Sequence, residues 1–419
     1  MIFIIFVVLM ALAIPIGLVL AFTAIYYIWS SDNTVLFESF GSQLFNSIDN
    51  YGLLAIPLFI FVGELMNEGG LTKRLIQFAR VFFGGVRGGL AYINLLANMM
   101  MAAILGSAVA QIAIMSQAIV PEMEKDGYDK TLSTSLTAVA GILGAIIPPS
   151  MMFVIFGVLA QISIGDMFIS GIIPGTLLGL GLLIAIFLLG LKNPYPKGKW
   201  LSKEEAIKAA LQALPALSIP VVIILGILLG FATPTESAGL ACLIALLIGI
   251  FVYKELKFSV LHKLLERTVI STAMVVFLVA AAGVFGWTIT FEQIPEKVAQ
   301  WITGTTTNPI VFLFLVSLLL MALGTVLDGI AALILVVPIL LPIATQNYGI
   351  DTYHFGVIIC IVLVLGLLTP PVGTGLFVAS SLTGIKPGKL FITMLPFLFV
   401  VSIIVCILIL FPVLTIGLL

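Results

Sequence analysis

Two Pro-Pro pairs, Pro148-Pro149 and Pro370-Pro371, lie in the middle of long apolar runs, with Ser150 beside the first and Thr369 and Thr374 beside the second. Each proline removes a backbone donor and clashes with the preceding turn, so a helix must break at both places. Carbonyls freed at membrane depth are tolerated only where they line a cavity inside the protein or hold a cation. With the neighbouring hydroxyls they form sets of hard oxygens, and hard oxygens suit a hard cation such as sodium. A single break of this kind is as readily a packing kink. The same break at matched positions of two copies favours a site. Gly141, Gly144, Gly373 and Gly375 flank the breaks and let another backbone approach closely.

Two further clusters interrupt apolar stretches: GSAVAQ from Gly106 to Gln111 and GTVLDG from Gly324 to Gly329. They supply Ser107 and Gln111 in one, Thr325 and Asp328 in the other. Half-helices that begin beyond such tips aim partial positive charge at a cavity and can hold a carboxylate or sulfonate without Lys or Arg. That fits a chain with no basic residue clearly inside a span. Asp328 reads either as an ionisable group on a substrate or ion path or as an N-cap of the second half-helix. Asn94 and Asn98, one turn apart, suit interhelical hydrogen bonding as well as substrate contact. The candidate substrate residues are Asn98, Gln111, Asp328 and Thr374.

What positions these residues must be a membrane fold. Hydrophobic residues fill 61% of the 419 positions and charged residues 9%, which would leave a water-soluble fold unable to cover its surface. Many apolar runs reach the roughly 20 residues that a helix needs to cross the hydrocarbon core. No soluble catalytic domain is inserted, and a net charge of −1 argues against nucleic acid. Cys242, Cys360 and Cys406 all fall in apolar runs without CxxC spacing and read as small buried residues, so neither a disulfide nor a transition-metal site is expected. The opening MIFIIFVVLM lacks a basic n-region and reads as a retained membrane helix.

Spans are expected near Ile2 to Trp29 (whole, or broken at Pro15), Tyr51 to Asn67, Leu132 to Ala160, Met167 to Leu191, Leu214 to Phe231, Ser237 to Tyr253, Thr268 to Ile289, Phe355 to Leu382 and Leu390 to Leu414. The interrupted stretches, about 88–120 and 308–344, are either pairs of spans or hairpins that dip to the midplane and return. Either way, alternating loops place every Lys and Arg except Lys297 on one face and Asp32, Glu38, Asp49, Asp166, Glu292, Glu296 and Asp351 on the other, so the Lys-rich face is cytoplasmic. Glu64 reads as a residue snorkelling to the interface and Thr233 to Glu236 as a helix start. His262 lies in a basic loop and His354 starts a helix. Trp29, Trp200, Trp287 and Trp301 fall near the interfaces.

The segment from Ile146 to Pro174 lies over the segment from Leu367 to Pro396, with Pro148, Pro149 and Pro174 matching Pro370, Pro371 and Pro396 at one constant offset of 222. Gly106 pairs with Gly324, and Pro15 with Pro234, at nearly the same spacing. An odd number of crossings between equivalent points inverts the second copy, the arrangement of carriers whose sites form at the repeat interface. The expected fold is therefore an all-α polytopic membrane protein of two inverted-topology repeats, 1–191 and 214–419, joined by a cytoplasmic linker or arm over 192–213. Each repeat holds a re-entrant hairpin and a Pro-broken helix, 132–160 and 355–382. Amphipathic arms, Gly70 to Phe83 and Phe291 to Ile302, precede the hairpins along the interface.

The run from Ile119 to Leu182, together with ATPTESAGL, GTVLDG and LLTPPVGTGLFV, resembles the large permease subunit of TRAP (tripartite ATP-independent periplasmic) transporters over nearly the whole chain. The resemblance implies an elevator mechanism, a transport domain sliding against a scaffold in the bacterial inner membrane. It also implies a small four-helix membrane subunit of the Q type and a periplasmic substrate-binding protein of the P type. Carried over, a first sodium site would use Gly106, Ser107, Ile147, Pro148 and Ser150. A second would use Gly324, Thr325, Thr369, Pro370 and Gly373. The chain departs from the family's GSSVAD tip at Ala108 and Gln111, and from its pattern before IIPPS at Ala145.

The expected function is sodium-coupled uptake of a small organic anion, such as sialic acid, a C4-dicarboxylate or a sulfonate, delivered by the binding protein, with no organic cofactor. A stand-alone sodium/dicarboxylate symporter is the alternative. An intramembrane enzyme would need paired acids, Ser-His or a metal cluster within the spans, and the chain offers a lone Asp328 there. A purely structural subunit leaves the duplicated breaks without a reason.

Overall fold

The computed structural model describes residues 2–12, 14–30, 34–192 and 195–419, and among these the chain is helical throughout apart from one isolated β-bridge between Arg87 and Lys197. The first half contains α1 (Ile2–Ala11), α2 (Ile16–Ser30), α3 (Thr34–Asn46), α4 (Ala55–Glu68), α5 (Leu71–Phe83), α6 (Gly89–Leu105), α7 (Ala108–Ala118), α8 (Val120–Lys125), α9 (Lys130–Gly141), α10 (Met151–Ala160) and α11 (Ile164–Lys192). The second contains α12 (Lys203–Leu228), α13 (Pro234–Leu247), α14 (Phe258–Phe291), α15 (Ile294–Thr305), α16 (Pro309–Gly324), α17 (Gly329–Pro342), α18 (Thr352–Gly366), α19 (Thr374–Thr383), α20 (Pro387–Leu410) and α21 (Val413–Ile416). Asp32, expected in an acidic loop, lies outside the described residues.

Seven helical stretches are long and apolar enough to cross a membrane, counting Tyr51–Glu68, α11, α12, Pro234–Val252, α14, Gly329–Asn347 and α20. The two spans expected around the Pro-Pro pairs are not continuous helices. They divide into α9/α10 and α18/α19, as the missing donors require. The first expected span is also divided, α1 ending at Ala11 and α2 starting after Pro15, whose carbonyl accepts from Leu18 and Val19 N–H. At the expected linker the helix begins early: α12 takes in 203–213, because Ser202 and Glu205 close a reciprocal capping box over its first turn.

The order arm, interrupted pair, broken helix, long helix occurs twice: α5, α6–α7, α9–α10, α11 and then α15, α16–α17, α18–α19, α20. Both interrupted pairs reverse the chain. Gln111 on α7 donates to Asn98 on α6 at 2.9 Å, although thirteen residues along one helix would separate them by about 20 Å. In the second pair the rings of Phe312 and Tyr348 stack at 4.3 Å, and Tyr348 donates to the Thr306 carbonyl at 2.7 Å. The arm α15 meets α16 at 118°.

The two halves interlock. The outgoing limb α7 packs on α19 of the other half, and α17 packs on α10. Ile112 lies against Gly375, where an added Cβ would come within 2.9 Å of it, and Met152 lies in ordinary contact range of Gly329. Elsewhere the polar residues settle as their positions suggest. Glu64 pairs with Arg267 at 3.6 Å, Thr233 and Glu236 form a capping box, and Trp29, Trp200 and Trp301 are exposed. Cys242 and Cys360 are buried, but Cys406 faces outward on α20 among Phe399, Ile403 and Ile407. Its apolar setting is therefore the outer surface and not the core.

Candidate ion and substrate site

At the first tip the chain turns through Gly106, whose φ of 60° is the left-handed conformation that glycine adopts without cost. Ser107 then caps α7. The Gly106 carbonyl accepts from the Met151 N–H at 3.1 Å, so the tip is tied to the chain just past Pro148-Pro149. Ser150 caps α10 and donates its hydroxyl to the Ala145 carbonyl at 2.5 Å. The second tip repeats the tie: the Thr325 carbonyl accepts from the Gly373 N–H at 2.7 Å, just past Pro370-Pro371. Both Pro-Pro bonds are cis. Gly366 and Gly324 bring the two backbones together, since a Cβ on Gly366 would lie 2.6 Å from the Gly324 Cα. Gly144, the counterpart of Gly366, lies against the Gln111 side chain, with the Ser107 carbonyl 3.1 Å from where a Cβ would stand.

The hydroxyls at both breaks present lone pairs and not protons. Thr325 donates to Ala322, Thr369 to Leu365 and Ser150 to Ala145, all backbone carbonyls. What remains outward is acceptor oxygen. Thr374 Oγ1 is buried and has no hydrogen-bond partner. At the first tip a buried amide chain performs the same selection. Thr137 gives its proton to Ser133, so it must accept from Asn94; Asn94 Oδ1 accepts from Asn98, and Asn98 Oδ1 from Gln111. Gln111 is thereby fixed with its NH₂ inward, and its Oε1 is buried and unpaired beside Gly144. An unpaired buried acceptor costs about 1–3 kcal/mol, and a small cation would relieve that cost at both places.

Between the two tips lies a cavity of about 30 Å³, lined by Gly106, Ser107, Ala145, Met152, Asp328 and Leu367 among others. Asp328 caps α17, accepting from the Ile330 N–H at 3.1 Å. The N-termini of α7 and α17 thus face one space: α7 turns the partial positive charge of its first N–H groups toward it, while the Asp328 carboxylate already caps the first turn of α17. Of the residues singled out from sequence, Gly106, Ser107 and Asp328 meet here. Ile147, Pro148 and Ser150 stand in the first break, while Gly324, Thr325, Thr369, Pro370, Gly373 and Thr374 stand at the second tip and break. Asn98 and Gln111 do not line the cavity; they lie fully buried within the first hairpin. Met152 and Leu367, which do line it, are ordinary apolar residues with no signal in the sequence. Gly366 had one, since it stands 222 residues after Gly144.

Residues 3–414 match the family model described as the tripartite ATP-independent periplasmic transporter, DctM component. The chain belongs to this family. It is a TRAP large permease, a multi-pass inner-membrane protein of a family of transport subunits and not of enzymes. The permease is 36% identical over 398 residues to the sialic acid TRAP transporter large permease protein SiaM of Vibrio cholerae, covering 95% of this chain and 93% of that one. It is 35% identical to the C4-dicarboxylate permease DctM of Pseudomonas aeruginosa, covering 91% and 89%. It is also 39% identical to the isethionate permease DctMQ of Oleidesulfovibrio alaskensis, matching 84% of this chain and 55% of that longer protein. The fold is that of the YdaH transporter of Alcanivorax borkumensis, at a TM-score of 0.65 and 13% identity over 90% of this chain and 88% of that one.

Proposed function

We propose that this permease takes up a small organic anion, a carboxylate or sulfonate, driven by sodium and delivered by a periplasmic binding protein, in complex with a small membrane subunit. The observation that carries the reading is the convergence of two hairpin tips, each tied by a backbone hydrogen bond to a Pro-broken helix, on one cavity faced by two helix N-termini. The open N-terminus of α7 suits the anion. The unpaired oxygens of Gln111 and Thr374, with the acceptor-only hydroxyls of Thr325 and Thr369, suit sodium on the far side of each tip. The related permeases carry names that include sialic acid, C4-dicarboxylates and isethionate, so the shared requirement is one negative head group on a small polar body.

At about 30 Å³ the cavity holds one or two waters and no organic anion. Transport then requires the tips to separate from one another while each stays tied to its own break. Once the anion is held between the tips, hairpins and broken helices would move as one body against α4, α12, α13 and α14, the elevator form of alternating access between inverted repeats.

The test is uptake into proteoliposomes holding this permease with its membrane partner, assayed with and without the periplasmic binding protein. Uptake is expected only with the binding protein and an inward sodium gradient. Flux of free substrate without the binding protein would favour the stand-alone symporter, and flux indifferent to sodium would remove the coupling. Within this assay Ser107→Ala and Thr325→Ala are each expected to raise the sodium concentration for half-maximal uptake by about 5–10-fold, the loss of one hydroxyl oxygen from the tip. Unchanged sodium titrations in both variants would take these residues out of the ion sites.

A further inference from the structure

A second pocket, remote from the hairpin tips, lies at the Lys-rich face. Its volume is about 550 Å³, within the usual range for small-molecule sites. One wall is the arm α5 with Arg80, another is the turn after α8 with Lys125, Asp126 and Tyr128, and the third is the strap 196–199 with Lys197 and Lys199. The strap is held in place: the Gly88 N–H donates to the Pro196 carbonyl at 3.0 Å, Arg87 and Lys197 form the β-bridge, and Tyr195 stacks on Tyr128 at 5.8 Å. A side chain at Gly198 would collide with the Gly84 carbonyl, and one at Gly85 with Trp200. This is a built pocket.

Its charge is one-sided. Four cations line it against Asp126 alone, and Arg80 is partly neutralised by Glu122 at 2.7 Å. Among the described residues Lys125, Lys197 and Lys199 form no ion pair. Arg80 Nε is buried without an acceptor. Three unpaired ammonium groups and an unpaired guanidinium N–H around one space ask for an anion with several oxygens, which phosphate provides. The rim then selects the source. Phe82, Val86 and Trp200 are exposed beside the pocket at the membrane interface, where an acyl chain would lie and a soluble metabolite would gain nothing.

We propose that this pocket binds the phosphate headgroup of an anionic phospholipid of the cytoplasmic leaflet, with the acyl chains along Phe82, Val86 and Trp200. The bound lipid bridges the arm, the base of the first hairpin and the strap. Neither the sodium coupling nor the substrate reading above enters this proposal, and either can fail without it.

The test is native mass spectrometry and thermal unfolding of the full chain with its membrane partner, titrated with phosphatidylglycerol, phosphatidylcholine or glycerol 3-phosphate. Phosphatidylglycerol is expected to be retained and to raise Tm, with little effect of phosphatidylcholine. Lys125→Gln, Lys197→Gln and Lys199→Gln should each weaken retention about fivefold, the effect of about 1 kcal/mol per basic residue at an anionic surface. Lys254→Gln in another basic loop should not. Equal retention of both lipids by the unaltered protein, a comparison that needs no variant to fold, would overturn the proposal. A Tm rise with glycerol 3-phosphate as large as with the lipid would overturn the lipid assignment in favour of a soluble phosphate ester.

Discussion

Gly366→Leu is expected to lower uptake by about 100-fold while leaving the protein in the membrane. The contact it breaks is backbone on backbone: a Cβ at Gly366 would meet the Gly324 Cα at 2.6 Å and the Met321 carbonyl at 2.8 Å. No rotamer change relieves this, so the second tip must move outward by about the diameter of a methyl group and lose the Gly373-to-Thr325 hydrogen bond that fixes it. Misplacement of binding groups by about 1 Å costs on the order of 100-fold in function. Gly144→Leu should act likewise at the first tip, where the new side chain would press on the Ser107 carbonyl and Gln111. Gly239→Ala, on α13 with no atom within 4 Å of the added methyl, is the control. Uptake normalised to membrane-inserted protein decides the matter. Normal uptake by both leucine variants would mean that the tips need not be tied to the breaks.

The second large effect is expected at Asp328. Asn at this position keeps an oxygen to accept from Ile330 N–H and so keeps the cap of α17, but removes the one formal charge on the cavity wall. Asp328→Asn should lower uptake at least about 10-fold at limiting sodium, the weight of one charge-assisted interaction, with Tm unchanged. Asp328→Ala should lose the same uptake and lower Tm as well, because the cap is lost too. If the Asn variant transports normally and only the Ala variant fails, Asp328 is a cap and nothing more. The comparison separates two roles that one side chain performs at one place.

Gly85 and Gly88, pinned under Trp200 and Tyr195, show how far local sequence falls short of such placement. Nothing in GVRGGL announces that a strap more than a hundred residues later will cross it. The same holds for Asn98 and Gln111. Their polarity marked them, but a polar side chain at membrane depth serves either a ligand or a neighbouring helix. Only the direction of the Thr137–Asn94–Asn98–Gln111 chain shows which atoms are used up and which one remains.

Composition and the two Pro-Pro pairs were decisive on their own, for reasons that need no tertiary contact. A chain 61% hydrophobic has to dissolve in lipid, and a proline has to break the helix it interrupts. The constant offset of 222 likewise made the halves copies before any fold was known. The crossing of the halves was decided by the tertiary structure alone. α7 lies on α19 and α17 on α10, and the tips close on about 30 Å³. Hydropathy and periodicity report which residues avoid water. Which buried face meets which is a matter of shape and of where glycines let backbones touch, and those are settled only when all the helices are packed together.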